Sequence, residues 1–354
     1  MTYHGRRLSV RGKRYMGRTI RCAALLIAAA VICAALCGCG QDKNNPAVMK
    51  LDNYDILLDE YRYFYLNHSR DLMSSGEYSD FKARLETENT LRDIYALYKM
   101  ASKYGVKLSD EEKKSIDAQV AQLSENFGDD EFASQMKENY ITENVLRSIL
   151  EQESLEMELR RAVYAEFNNI IDSTDATVEK DIRENFICVK QIMIKTINPD
   201  IILTEGQIPD GHTEEEAERL IGEIKAKLDS GADFDELVRE YNEDIGMNSE
   251  TGYYITRGEF LESFEDAAFA LGIGETSGIV KSVNGYHIIR RYEQDPGYVS
   301  EYFEELRDVY KARRFNELRD ETADALRVKR TDLYESLTRE YLLSTLENPA
   351  SADA

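Results

Sequence analysis

Cysteine and histidine are both scarce in this chain of 354 residues. Four of the five cysteines fall within the first 39 residues, which leaves Cys188 as the only cysteine after position 39. Beyond that position the sequence therefore excludes an internal disulfide and a zinc site built from cysteines. His68, His212 and His287 are too widely spaced in sequence to predict a metal site. We expect neither a metal nor a cofactor.

Basic residues are also in deficit. The chain has 44 Lys and Arg against 67 Asp and Glu, a net charge of −23. Seven of the basic residues and none of the acidic ones lie in residues 1–38, so a chain without that segment would carry −30. Such a surface repels nucleic acid and anionic lipid headgroups. We therefore expect no nucleic-acid partner.

The first residues have the composition of a signal peptide. A basic region precedes an apolar run at residues 22–36, which is too short for a comfortable membrane span. The run ends in Leu36-Cys37-Gly38-Cys39, which resembles the bacterial lipobox, where Cys39 would be lipidated. We expect residues 1–38 to be a lipoprotein signal peptide and residues 39–46 a tether on the extracytoplasmic face of the cell membrane. The alternative is an uncleaved N-terminal anchor.

Both ends of the remaining chain have helical patterns. Residues 47–56 favour a short strand, and residues 57–169 carry apolar side chains at helical spacing. Ser109 with Glu112 has capping-box spacing, and Thr142 is a second predicted N-cap. Pro296-Gly297 is the clearest boundary, and amphipathic stripes resume after it. Because such stripes need burial, we expect residues 47–183 and 297–346 to form one helical domain, followed by a disordered tail at residues 347–354.

One stretch, residues 252–291, carries the most specific pattern. It contains Gly-Tyr-Tyr at 252–254, Arg-Gly at 257–258, Phe-Glu-Asp-Ala-Ala-Phe at 264–269 and Gly-Tyr-His-Ile-Ile at 285–289. This pattern resembles the C-terminal half of a parvulin-type peptidyl-prolyl isomerase, and residues 187–196 resemble that family's first strand. The resemblance implies an α+β protein. In it, a parvulin-like domain at residues 184–296, a small antiparallel sheet with surrounding helices, is inserted in an all-helical chaperone domain built from both chain ends.

The whole arrangement also resembles extracytoplasmic foldases of the PrsA and SurA type. Residues 104–112 and 140–147 are similar to two helix starts of their N-terminal chaperone domain. This second resemblance implies that the partners are unfolded or newly secreted polypeptides. Clustered aromatic side chains at Tyr61, Tyr63, Phe64 and Tyr65 are consistent with a homodimer.

The parvulin resemblance also implies the site residues. Phe260 and Phe264 occupy the positions of the prolyl pocket, and Asp244 the position beside the substrate carbonyl. His287 matches the second of two core histidines, whereas Gln191 stands where the first should be. Glutamine can donate and accept hydrogen bonds but cannot titrate. Further departures are residues 248–251 in place of Gly-Gly-Asp-Leu, Tyr253 in place of Trp and Ile279 in place of Pro.

These observations predict a membrane-anchored extracytoplasmic foldase that isomerises prolyl peptide bonds. An alternative is a chaperone of the same architecture whose degenerate parvulin domain only binds unfolded chains. A solute-binding lipoprotein fits poorly, because the sequence lacks the repeated βαβ periodicity of two-lobed binders. Cys188, on the predicted first strand, is expected to be a small buried apolar residue and not a reactive thiol.

Overall fold

The computed structural model describes residues 45–197 and 210–347. The predicted signal peptide, Cys39, most of the tether and the tail from residue 348 lie outside the described residues, as does the connection at residues 198–209. The described chain divides into two compact units. We call Asp172–Arg314 the central unit, and residues 45–171 with 315–347 the terminal unit. Within these described ranges, no helix is both long and apolar enough to cross a membrane.

The described part of the chain is mostly helical up to residue 171, and after that residue helices and strands alternate. The first set is β1 (Ala47–Leu51), β2 (Tyr54–Leu57), α1 (Leu58–Ser74), α2 (Asp80–Tyr104), α3 (Asp110–Phe127), α4 (Asp129–Glu138) and α5 (Glu143–Tyr164). The second set is α6 (Asp175–Asn185), β3 (Ile187–Lys195), α7 (Glu214–Asp229), α8 (Phe234–Tyr241), β4 (Tyr253–Ile255), α9 (Glu262–Ala270), β5 (Val280–Ser282), β6 (Gly285–Tyr292) and α10 (Pro296–Glu301). The last set is α11 (Phe303–Asp324), β7 (Val328–Arg330), α12 (Asp332–Ser336) and α13 (Arg339–Glu347).

The α+β class is confirmed, but the terminal unit is not all-helical as predicted. It contains a three-stranded antiparallel sheet in the order β2-β1-β7, in which Met49 pairs with Arg330. A strand of three residues is too short to show alternation in the sequence. Residues far away in sequence hold β7 in place. The Asp52 carboxylate, which follows β1, accepts hydrogen bonds from Lys99 and from the main-chain amide of Arg327, the residue before β7.

The terminal unit has one core built from both ends of the chain. Leu326, Tyr334, Leu337 and Leu342 are buried in the same cluster as residues of β1, α1 and α2. The rings of Tyr61 and Tyr334 meet edge to face with centroids 5.7 Å apart. Arg62 of α1 donates to the Thr345 hydroxyl of α13 at 3.1 Å. The C-terminal segment is therefore part of this core.

The aromatic cluster of α1, which suggested a possible homodimer, is mostly buried within the terminal unit. Tyr61 and Tyr65 are fully buried, and Tyr63 is almost so. Phe64 is partly buried and packs against the same core. Tyr61, Tyr63 and Tyr65 are therefore covered within the chain itself, whereas Phe64 keeps part of its surface exposed, and the homodimer stays a prediction.

The central unit is organised around a four-stranded antiparallel sheet in the order β4-β3-β6-β5. Side chains alternate between its two faces. On one face, Ile192, Ile194 and Ile288 pack against α7 and α8. On the other face, Val189 and Ile289 pack against Phe264 and Ala268 of α9. The second face carries the candidate site, because Gln191 and His287 share its alternation.

Local signals explain most of these elements. Thr213 and Glu216 form a full capping box at the start of α7, and Ser109 with Glu112 does the same for α3. The Thr142 hydroxyl accepts from the Val145 amide at the start of α5. Gly252 is required where it stands: its φ is +70° and a Cβ would lie 2.4 Å from the Val189 carbonyl oxygen. This close approach begins β4 directly against β3.

Candidate active site

Three side chains predicted from distant parts of the sequence are brought together on the sheet. Gln191 lies on β3, His287 on β6, and Asp244 in the loop that follows α8. The Gln191 amide nitrogen donates to Asp244 Oδ2 at 2.6 Å, and Gln191 Oε1 lies 2.7 Å from His287 Nδ1. The two strands pair antiparallel, so that Gln191 and His287 are diagonal neighbours on one face.

The directions of these hydrogen bonds follow from the chemistry of the groups. An ionised carboxylate only accepts, so the amide nitrogen of Gln191 must point to Asp244 and its oxygen to His287. The imidazole then donates from Nδ1, and in its neutral form Nε2 carries no proton. Nε2 lies 2.7 Å from the Ser282 hydroxyl, which donates to it. We call Ser282, His287, Gln191 and Asp244 the polar chain.

Ser282 was not predicted from the sequence. It ends β5, and its partner across the two-residue turn is Gly285 at the start of β6. A serine two residues before an Asn-Gly pair is the only local signal, and it indicates a hairpin without indicating a contact with His287. The contact depends on how the hairpin closes, which only the structure gives.

Burial keeps His287 neutral. The residue is 4% exposed, and this burial lowers the pKa of its imidazole to about 4. The nearby Asp244 carboxylate opposes the shift without reversing it. At neutral pH the ring is therefore uncharged, which agrees with one nitrogen donating and the other accepting.

The Asp244 carboxylate is fixed by further donors. Tyr253 on β4 donates its hydroxyl to Oδ2 at 2.8 Å, and the Gly246 amide donates to Oδ1 at 2.9 Å. The Asn242 side chain bonds the main chain of Asp244 and also accepts from the Met193 amide at 3.0 Å. The loop that carries Asp244 is thus tied to β3, the strand that carries Gln191.

Beside the polar chain lies an aromatic patch formed by Tyr253, Phe260 and Phe264. The rings of Phe260 and Phe264 stack at 5.2 Å, and Tyr253 meets Phe260 edge to face at 5.1 Å. The Phe264 ring also meets the His287 ring edge to face at 5.7 Å. Phe264 is only 2% exposed, whereas Phe260 is half-buried. Phe264 therefore forms the floor of the patch, and Phe260 keeps a face in contact with solvent.

Glu265 is a second residue that sequence reasoning missed. It is 6% exposed, and its Oε1 accepts from the amides of Gly258 and Phe260, both at 2.8 Å. A buried carboxylate is stabilised by such charge-assisted bonds. The two amides belong to the turn that presents Phe260, so Glu265 fixes the position of that ring. Its place in the Phe-Glu-Asp-Ala-Ala-Phe motif was visible, but its contacts were not.

Cys188 lies away from the polar chain, on the other face of β3. Burial raises the pKa of its thiol, and Sγ lies 3.7 Å from the Thr251 carbonyl oxygen. In the parts of the chain that the structure covers, no group of three or more His, Cys, Asp or Glu residues could hold a metal ion.

Comparison with known proteins points to one family. The family model described as Rotamase, a PPIC-type PPIASE domain, matches residues 193–293. Foldase protein PrsA of Geobacillus kaustophilus is 29% identical over 311 residues, which cover 87% of this chain and 86% of that protein. Foldase protein PrsA 4 of Bacillus cereus is 30% identical over 197 residues, which cover 50% of this chain and 70% of that protein.

A solved structure is also similar in sequence, the peptidylprolyl isomerase PrsA of Bacillus anthracis. It is 24% identical, covers 73% of this chain and 96% of its own, and has a TM-score of 0.27. The assignment therefore rests on the sequence matches, which extend from the matched isomerase domain to most of the chain. On these matches, the chain belongs to the PrsA foldase family.

Proposed function

We propose that the protein is a membrane-anchored extracytoplasmic foldase whose central unit isomerises prolyl peptide bonds in secreted polypeptides. The observation that carries this proposal is the polar chain lying directly beside the aromatic patch. The aromatic patch offers an apolar surface for a prolyl ring. The polar chain ends in the Asp244 carboxylate, which is held in a fixed position. The matched PPIC-type domain supports the same activity.

Isomerisation faces a barrier of about 18–20 kcal/mol, because resonance gives the peptide C–N bond partial double-bond character. The planar amide carries partial negative charge on its oxygen, and the twisted amide carries less. In our proposal, the prolyl ring rests on Phe260 and Phe264 and the Asp244 carboxylate lies near the substrate carbonyl. The carboxylate then disfavours the planar form more than the twisted one, which lowers the barrier.

His287 and Gln191 act through Asp244 in this proposal. The neutral imidazole accepts from Ser282 and donates to Gln191, which in turn donates to the carboxylate. No member of the chain needs to change its protonation during rotation about the C–N bond, because no bond to hydrogen is made or broken. A glutamine at position 191 is therefore compatible with catalysis.

A second candidate is a chaperone that binds unfolded chains without isomerising them. Gln191 favours it, since this residue replaces a histidine that the parvulin resemblance implies. An isomerisation assay with the full chain, on peptides that differ in the residue before Pro, separates the two. We expect acceleration for at least part of the panel. If no peptide is accelerated but aggregation of an unfolded protein is still suppressed, the binding-only function is correct.

The membrane anchor is a proposal of its own, supported by the Leu36-Cys37-Gly38-Cys39 junction. A diacylglyceryl group on Cys39 would insert two acyl chains, which suffice for stable anchoring. Labelling of cells with a radioactive fatty acid should mark the wild-type protein and leave the Cys39→Ser variant unmarked. A Cys39→Ser protein that still takes up label would refute the lipoprotein assignment.

A further inference from the structure

The turn between β5 and β6 contains the only Asn-Gly pair in the sequence, Asn284-Gly285. Gly285 cannot be replaced there, because its φ is +137° and a Cβ would lie 2.1 Å from the Ile194 carbonyl oxygen. The glycine is therefore imposed by the close approach of β6 to β3. The asparagine before it is not imposed by any such contact, and it makes the pair chemically labile.

The surroundings of Asn284 leave its side chain open to reaction. The residue is exposed, and among the described residues no hydrogen bond holds its side-chain amide. Other loop asparagines of the central unit are held. Asn248 Oδ1 accepts from the amides of Glu250 and Thr251, and the Asn242 amide bonds the main chain on both sides. Asn284 thus combines an exposed amide with a following residue that has no side chain to obstruct attack.

We propose that Asn284 is a site of spontaneous deamidation and that its conversion to isoaspartate inactivates the neighbouring polar chain. The activity part of this inference rests on the proposed isomerase function, whereas the chemical part does not. The same turn is flanked by two members of the polar chain, Ser282 before it and His287 after it. A lesion at residue 284 therefore lies between them.

The reaction needs only water. The deprotonated main-chain nitrogen of Gly285 attacks Asn284 Cγ, the new C–N bond closes a five-membered succinimide, and the side-chain nitrogen leaves as ammonia. One water molecule then opens the ring. Opening at Cγ gives aspartate with a normal main chain. Opening at the α-carbonyl gives isoaspartate, in which the main chain runs through the side-chain carbons, and no atom is oxidised or reduced.

Isoaspartate would break the contacts that close this hairpin. The Asn284 carbonyl oxygen accepts from the Thr196 amide at 3.2 Å, and the Asn284 amide donates to the Ser282 hydroxyl oxygen at 3.1 Å. In isoaspartate that carbonyl becomes a free carboxylate, and the main chain gains one carbon. The pairing of Ser282 with Gly285 then shifts, and the Ser282 hydroxyl moves away from His287 Nε2.

The test is an ageing experiment on the full chain. Protein is incubated in mildly alkaline buffer at growth temperature for days, and samples are split between a prolyl-isomerisation assay and tryptic mapping. Trypsin releases residues 282–290 as one peptide, since it cleaves after Lys281 and after Arg290. Chromatography separates its Asn, Asp and isoAsp forms. We expect isoaspartate to accumulate at residue 284 and activity to fall in proportion, while Asn248 stays intact.

Two variants separate the causes. Asn284→Gln retains the amide but closes a ring slowly, so it should keep its activity through the same incubation. Asn284→Asp has the new charge on a normal main chain, so fresh protein should be as active as wild type. If the charge alone were responsible, this variant would be inactive from the start, and the inference about the main chain would be wrong.

A synthetic peptide of residues 278–290 serves as the unfolded reference. If the peptide converts while the folded protein stays intact, the hairpin protects Asn284 and the inference is wrong. The same holds if isoaspartate accumulates in the protein without loss of activity. A fresh wild-type protein without isomerase activity would instead refute the proposed function. In that case amide hydrogen exchange along β5 and β6 still reports whether the lesion opens the hairpin, and unchanged exchange would overturn the inference.

Discussion

Replacing Gln191 by leucine tests the polar chain most directly. Leucine fills a similar volume but has no polar atoms, so the change removes one donor to Asp244 and one acceptor from His287. His287 is buried, and its Nδ1–H would lose its partner with no water to replace it, at about 1–3 kcal/mol. Asp244 is only half-buried, so water can compensate part of its loss. We therefore expect the Gln191→Leu change to cost the central unit about 2–4 kcal/mol.

The measurement should report on the central unit alone. Because the chain has two compact units, one global unfolding curve would not give a single free energy of unfolding. Amide hydrogen exchange along β3 and β6 gives the local free energy of opening instead. Isomerase activity is measured on the same samples and should be largely lost in Gln191→Leu.

The matched control is Gln191→His. One imidazole nitrogen can donate to Asp244 while the other accepts from His287, so the order of donors and acceptors is preserved. We expect this variant to keep its exchange protection and to hold or raise activity. If Gln191→Leu matched wild type in both measurements, the hydrogen bonds of Gln191 would contribute nothing and the reasoning would fail. If wild type and Gln191→His were both inactive, the unit would be a binding platform.

Three further predictions concern packing and pH. Phe264→Ala should lower the free energy of unfolding of the central unit by on the order of 3 kcal/mol and remove most isomerase activity. The control Ile273→Ala, at an exposed position, should change neither stability nor activity. Equal activity in the two variants would show that Phe264 does not line the prolyl pocket. Burial raises the pKa of Glu60 to about 7, so the folded state binds an extra proton between pH 4.5 and 7 and loses stability as pH rises through that window. Glu60→Gln, which can still accept from Tyr95, should therefore raise the stability of the terminal unit by roughly 1–3 kcal/mol at pH 8 and hardly at all at pH 4, as amide hydrogen exchange along α1 would reveal. Deleting residues 326–347 removes four buried core side chains at about 1.5–3 kcal/mol each, so limited proteolysis should find the terminal unit unfolded, and unchanged resistance would contradict the shared core.

Elements with local signals could be predicted closely from the sequence. The helices at residues 214–229 and 234–241 and the strand at residues 253–255 are elements of this kind. Each has its own N-cap, glycine stop or run of β-favouring residues, so a short window suffices. Strand β7 lacks such a window, because its three residues pair with β1 and the preceding Arg327 is held by Asp52, both far away in the chain.

The candidate site divides in the same way. A histidine within a buried strand must find partners, so the sequence could predict that His287 is satisfied by another element. It could not predict that Ser282 would occupy Nε2, nor that Glu265 would hold the turn before Phe260. Both contacts depend on how a turn closes, and the pattern of residue types does not predict that geometry. The roles assigned to the site residues remain predictions, whereas their proximity is observed.

Two of the residues that depart from the parvulin pattern form hydrogen bonds to the same atom. Gln191, where a histidine is implied, and Tyr253, where a tryptophan is implied, both donate to Asp244 Oδ2, at 2.6 and 2.8 Å. They are far apart in sequence, so each looks like an isolated loss when the chain is read in order. Both residues are nevertheless polar donors, so the Asp244 carboxylate has two side-chain partners in spite of the two departures. The convergence therefore favours an altered but working polar chain over a unit that only binds.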